Sequence, residues 1–191
     1  MGRMETESAL AARAKGGDPA AFDELVRRSL PRVYSFLLRY AGDETLAEDA
    51  AQDTFVKAWK NLKRFDETKP LSPWLLRIAR NAANDILRKK RTTPFSHMSG
   101  TGKDNEDIPF EDTLADDAPL PAELFERKEL AQALARALGE LSERDRALLL
   151  LRYEDDLAFD DIAAALDAPL NTVKSWHRRA LLRLRELLSR Q

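Results

Sequence analysis

Apolar residues recur three and four positions apart along most of the chain, which is the spacing of one face of an α-helix. The strict alternation that predicts a β-strand is nearly absent. Gly, Pro and Asp separate the periodic stretches and mark where helices begin and end. The pattern predicts helices over about 8–15, 19–40, 44–62 and 73–90, and further along over about 122–139, 142–153, 160–166 and 169–188. We therefore predict an all-α protein.

Polar residues in front of several predicted helices are suited to cap them. Asp18 can accept hydrogen bonds from the first turn of the second helix, with Pro19 as its first residue. Asp43 and Ser142 can do the same for the third and sixth helices. Pro31 lies inside the second helix and is expected to kink it.

Residues 92–121 differ in composition from the rest of the chain. They are rich in Pro and Gly and lack sustained periodicity, and residues 104–126 hold nine acidic side chains and no basic one. Such a composition is typical of a solvated linker. We predict two small helical bundle domains, residues 1–91 and 122–191, joined by a flexible acidic linker over 92–121.

The stretch over residues 157–188 predicts a helix-turn-helix. A short helix is followed by a turn at Asp167 and Ala168, and then by a longer helix that we expect to begin at Pro169. Basic residues lie off the apolar stripe of the longer helix: Lys174, Arg178, Arg179 and Arg185. Such a helix fits the major groove of DNA, with its first turns on base edges. The alternative is an amphipathic hairpin whose charged face is simply solvated.

Composition excludes several other classes of protein. The formal net charge is −2, so the basic residues matter through their clustering and not through their number. The absence of Cys excludes a disulfide scaffold and a thiolate zinc site, and two histidines, His97 and His177, are too few to suggest zinc. Residues 99–103 resemble half of a phosphate-binding loop but lack its earlier Gly. We predict no metal site and no cofactor, and no apolar run approaches the roughly 18 residues of a membrane span.

The third and fourth helices carry a second pattern of charge. Glu48, Asp49, Gln52 and Asp53 form a polar face on the third helix. The fourth helix ends in a basic cluster of Arg88, Lys89, Lys90 and Arg91. Each group also has a purely structural interpretation, since acidic residues favour the start of a helix and basic residues its end.

Three motifs together resemble the extracytoplasmic-function (ECF) class of bacterial sigma factors. They are AEDAAQDTF at 47–55, WLLRIARNAANDILR at 74–88 and IAAALDAPLNTVKSWHRRALLRLR at 162–185, in the family's order across a linker. The sequence departs from the family pattern in three places. Asn171 stands where the motif has Gly, Trp176 replaces the Arg of its KSR segment, and Ala158 replaces a Ser or Thr cap.

The resemblance implies a cytoplasmic protein that is not an enzyme. A member of this class binds core RNA polymerase and directs it to promoter DNA, in response to stress or another signal. Its third helix docks on the clamp helices of the largest polymerase subunit, and its C-terminal domain meets the flap region. In this chain the resemblance assigns the clamp contact to Leu46, Asp49, Gln52, Asp53, Phe55 and Val56.

The resemblance also assigns two DNA-binding surfaces. Residues implied to hold the single-stranded minus-ten element are Phe65, Trp74, Arg77, Arg80, Asn81 and Arg88. Residues implied to read the minus-thirty-five duplex are Asn171, Thr172, Lys174, Ser175, Arg178 and Arg179. Both aromatic residues of the first set could instead belong to the core, which is the more common place for a Trp at this spacing. Trp176 could either stack on a sugar or pack on its own domain.

Two questions about a sigma factor stay open at the level of sequence. The linker could enter the RNA exit path of the polymerase or act as a plain tether, and an anti-sigma factor is a possible partner. Two rival functions also stay open. The chain could be a helix-turn-helix regulator that acts without polymerase, or an interaction protein that binds no DNA.

Overall fold

The computed structural model describes residues 5–92 and 121–190, with side chains over 5–90 and 128–190, so the predicted linker lies almost entirely outside the described residues. The all-α prediction is confirmed, since the described residues form helices and no β-strand. The helices are α1 (Glu7–Lys15), α2 (Pro19–Ala41), α3 (Glu44–Asn61), α4 (Leu71–Thr92), α5 (Pro121–Glu140), α6 (Glu143–Tyr153), α7 (Phe159–Leu166) and α8 (Leu170–Leu188), with a 3-10 turn (Leu62–Arg64) after α3.

The predicted caps are confirmed. The Asp18 carboxylate accepts hydrogen bonds from the first turn of α2, the Asp43 carboxylate accepts one from Leu46 N at 2.8 Å, and Ser142 Oγ accepts one from Asp145 N at 3.1 Å. The predicted start of α8 was wrong by one position. Pro169 has an extended ψ of 141°, so it is the residue before the helix. The proline ring restricts φ to a similar value whether Pro169 precedes the helix or is its first residue, so only ψ distinguishes the two cases.

In the N-terminal half, α1 to α4 pack around a core of aliphatic and alanine side chains. The helix α2 continues through Pro31 and buries Leu25, Val33, Phe36, Leu37 and Tyr40 along one stripe. Leu30 lies at the edge of that stripe and is 42% exposed.

The C-terminal half packs α5 to α8 around the apolar run at residues 147–151 of α6. All five residues of that run are at most 3% exposed. Consecutive residues point in all directions around a helix, so the run can be buried only if neighbours cover α6 on every side. Its neighbours are α7 and α8 of the same half and α2 of the other half.

The two halves pack against each other through α2 with α6 and through α4 with α7. Polar contacts reinforce the apolar ones. Arg32 of α2 pairs with Asp155 at 2.7 Å, Arg39 pairs with Glu154, and Arg146 Nη1 donates to the carbonyl of Tyr40 at 2.7 Å. We call this contact surface the domain interface.

The cap of α3 supplies a test of stability. The bond from Leu46 N and the contact with Lys90 hold the pKa of Asp43 below its ordinary value of 3.8. We expect Asp43→Ala to lower the free energy of unfolding by about 1 kcal/mol at neutral pH. Because the pKa is lower in the folded chain, the stabilisation is complete above the unfolded value and is lost as the pH falls through the folded one.

Urea unfolding of both proteins at neutral and at strongly acidic pH measures this difference. Asp23→Ala removes an exposed carboxylate from the body of α2 and should have little effect at either pH. A difference for Asp43→Ala that persists unchanged in acid would contradict the role of the ionised cap.

Candidate polymerase and nucleic-acid interfaces

The polar residues predicted on α3 lie on its exposed side. Asp49, Gln52 and Asp53 are exposed, Val56 is 51% exposed and Phe55 is half-buried. We call these five residues the α3 face. The prediction that Leu46 belongs with them was wrong, because Leu46 is 1% exposed and sits in the core beneath the first turn.

Trp59 adds an apolar element beside the α3 face. It is 43% exposed and packs against Phe22 of α2, with 4.8 Å between the ring centroids. The sequence did contain a signal for this position. Val56 and Trp59 are three residues apart and follow Gln52 and Asp53 along one side of the helix. The surface of α3 therefore combines carboxylates with exposed apolar area.

The aromatic residues predicted to contact single-stranded DNA form a contact with each other. Phe65 is 4% exposed, and its ring centroid lies 4.9 Å from that of the half-buried Trp74. Lys15 Nζ donates to the carbonyl of Phe65 at 3.1 Å and ties this corner to α1. Of the two alternatives left open for Phe65, its burial agrees with the core alternative, because the chain turns after α3 and places this side chain inside. The core alternative for Trp74 agrees with this contact.

The polar residues predicted on α4 lie in two different environments. Asn81 is exposed, and its side-chain oxygen accepts a hydrogen bond from Arg80 Nη2 at 2.9 Å. Arg88 is exposed and pairs with Asp85 at 3.3 Å. Arg77 and Arg80 are half-buried. Burial lowers the pKa of Arg80, while the negative charge of Asp167 in the C-terminal half acts in the opposite direction.

The helix-turn-helix forms as predicted from α7 and α8. Its turn closes at Asp167, which has a left-handed φ of 53°, and Ala168 N donates to the carbonyl of Ala163 at 3.0 Å. The inner side of α8 buries Val173, Ala180 and Leu187.

The opposite side of α8 carries the residues predicted to read duplex DNA, which we call the α8 face. Thr172 is half-buried and the others are exposed, namely Asn171, Lys174, Ser175, Arg178 and Arg179. Ser175 Oγ donates to the carbonyl of Asn171 at 2.9 Å. A row of amide, hydroxyl and guanidinium groups on one exposed helix side can donate hydrogen bonds to base edges and phosphates.

The two residues after Ser175 pack on the domain itself. Trp176 is half-buried, and the guanidinium carbon of Arg144 lies 4.5 Å from the centroid of its ring. His177 lies against Tyr153 and Phe159, and burial lowers its pKa. Of the two possibilities left open for Trp176, the structure shows packing on the domain.

The described residues hold no cluster of His, Cys, Asp or Glu that could bind a metal ion. His97 and residues 99–103 lie outside them. Among the helices described, none is both long and apolar enough to cross a membrane.

Comparison with known families matches both halves of the chain. The family described as Sigma-70 region 2 matches residues 25–93, and the family described as Sigma-70, region 4 matches residues 131–184. SigW, an ECF RNA polymerase sigma factor of Bacillus subtilis (strain 168), is 30% identical over 174 residues, which cover 91% of this chain and 92% of SigW. The chain belongs to the ECF RNA polymerase sigma factors.

Other relatives agree with this membership. The ECF sigma factor RpoE of Cereibacter sphaeroides is 34% identical to this sigma factor, over 90% of this chain and 88% of RpoE. Among solved structures, CnrH in complex with the cytosolic domain of CnrY has a TM-score of 0.69 and 27% identity, covering 98% of this chain and 99% of CnrH. RpoE in complex with the anti-sigma factor NepR, from Bartonella quintana, has a TM-score of 0.63 and 25% identity, covering 88% of this chain and 96% of RpoE.

Proposed function

We propose that this sigma factor binds core RNA polymerase through the α3 face and contacts two promoter elements through α4 and the α8 face. The observation that carries the proposal is the exposure of carboxylates and apolar side chains together on α3. Carboxylates orient a basic partner and raise the association rate, while Val56 and Trp59 offer apolar area to bury. The partner surface is the clamp helices of the largest polymerase subunit.

Binding of the minus-ten element falls to α4. Asn81 can donate and accept hydrogen bonds at a base edge, and Arg77, Arg80 and Arg88 supply cations for the phosphates of a single strand. Trp74 and Phe65 pack against each other at the start of α4. They position that helix and do not contact DNA themselves. We propose that residues 1–91 bind polymerase and the minus-ten element, and that residues 122–191 bind the minus-thirty-five duplex. Residues 92–121 join the two domains.

The C-terminal domain reads duplex DNA through the α8 face and meets the flap region of the polymerase. Such a factor acts in the cytoplasm, where it responds to stress or another signal. The anti-sigma complexes of its structural relatives support an anti-sigma factor as a further partner. A regulator that acts without polymerase is disfavoured, because it would leave the α3 face and the region 2 match without a role.

A charge reversal on α3 tests polymerase binding. We expect Asp53→Arg to abolish association with core enzyme, because it places a cation against a basic partner surface. Asp53 is exposed and makes only a long ion pair with Lys57 at 3.8 Å, so the fold should survive. Co-purification of the full chain with core enzyme, together with circular dichroism, measures both effects.

Asp23→Arg is the matched control, because it makes the same charge change on an exposed part of α2. Normal assembly of the Asp53→Arg protein with core enzyme would refute the proposed role of the α3 face.

An alanine substitution on α8 tests duplex reading. We expect Arg179→Ala to weaken binding to a promoter duplex by about tenfold, since one good base contact contributes roughly 1–3 kcal/mol. Affinity is measured at several fixed salt concentrations on a fragment selected from a random library by the wild-type holoenzyme.

Arg183→Ala provides the comparison. Arg183 is an exposed arginine of the same helix that pairs with Glu186 at 3.1 Å and lies outside the α8 face. Equal affinities of wild type and Arg179→Ala would argue against this placement of the duplex.

A further inference from the structure

Position 176 is where this sigma factor departs from the KSR segment of its family. Trp176 directly follows Ser175 of the α8 face, and it lies at the edge between that face and the buried side that holds Val173 and Ala180. An indole is uncharged and cannot neutralise a phosphate as the arginine of the motif can. Neutralising a phosphate at this edge therefore requires a cation from elsewhere in the domain.

Arg144 brings a guanidinium to that edge from a different helix. It lies in the first turn of α6, 4.5 Å from the centroid of the Trp176 ring, and its side chain is 48% exposed. Asp145 Oδ1 accepts a hydrogen bond from Arg144 Nε at 2.9 Å and lies 2.9 Å from Nη2. An arginine has five N–H donors, so the Nη1 protons are not shared with that carboxylate. Stacking and the ion pair together fix the orientation of the group.

We propose that Arg144 binds a phosphate of the duplex read by α8 and replaces in space the arginine that the family carries at position 176. Trp176 is then a positioning residue that holds the guanidinium at the edge of the α8 face. This inference rests on the proposed reading of duplex DNA by α8.

A double-mutant cycle tests the replacement on the full chain. Arg144→Ala should weaken binding to the selected duplex by about three- to tenfold and reduce the slope of log affinity against log salt by about 0.9, the value for one phosphate. Trp176→Arg restores the family arrangement, and in that background Arg144→Ala should change affinity by less than about twofold. Arg136→Ala, at an exposed arginine of α5, should leave affinity and slope unchanged.

Two results would overturn the inference. An unchanged salt slope for Arg144→Ala would remove the phosphate contact, and an equal effect of Arg144→Ala in both backgrounds would remove the link to position 176. Arg144→Lys keeps the charge on a folded chain and should retain the slope. If Arg179→Ala weakens binding while Arg144→Ala does not, only this inference fails; if neither does, the proposed reading by α8 fails as well.

Discussion

Burial of five consecutive apolar residues in α6 is the constraint on which the arrangement of the whole chain depends. A helix that is apolar on every side needs cover from more than its own small domain. Its own domain supplies α7 and α8, and α2 of the N-terminal half supplies the remaining side. The charged contacts at Asp155 and Glu154 follow at the end of the same helix, so apolar burial brings the halves together and ion pairs fix their alignment.

Local signals in the sequence predicted most of the helices and their starts. Caps such as Asp18, Asp43 and Ser142 act within one turn, and apolar spacing is a property of a single helix, so both can be recognised without tertiary information. The prediction is wrong, or leaves the burial of a residue open, where the position of a neighbouring element decides it. Leu46 and Phe65 are buried and Trp59 is exposed because of how α1, α2 and the corner after α3 surround them. Periodicity predicts which side of a helix faces the core, but it does not predict how much of the helix surface the neighbouring elements bury.

The candidate sites show the same division. Exposure of Asp53 on α3 and of Arg178 on α8 follows from helical spacing, and the structure agrees with it. The environments of Arg80 and Trp176 depend on Asp167 and Arg144, which are far away in the chain. No pattern in one sequence connects such positions. Departures from a family motif are therefore interpretable only when the spatial neighbours of the changed residue are known.

The turn residue Asp167 satisfies two requirements that favour different side chains. Its left-handed backbone, with φ at 53°, would suit Gly best, since Gly adopts this region without steric strain. The negative charge of Asp167 stabilises the charged form of Arg80. Gly has no side chain to carry that charge, and Asn has a similar shape but is neutral. Aspartate at this position costs some backbone strain, but it supplies a negative charge that complements Arg80 in the other half. Replacing Asp167 with Gly would therefore stabilise the turn of the helix-turn-helix while weakening the attraction between the two halves of the chain.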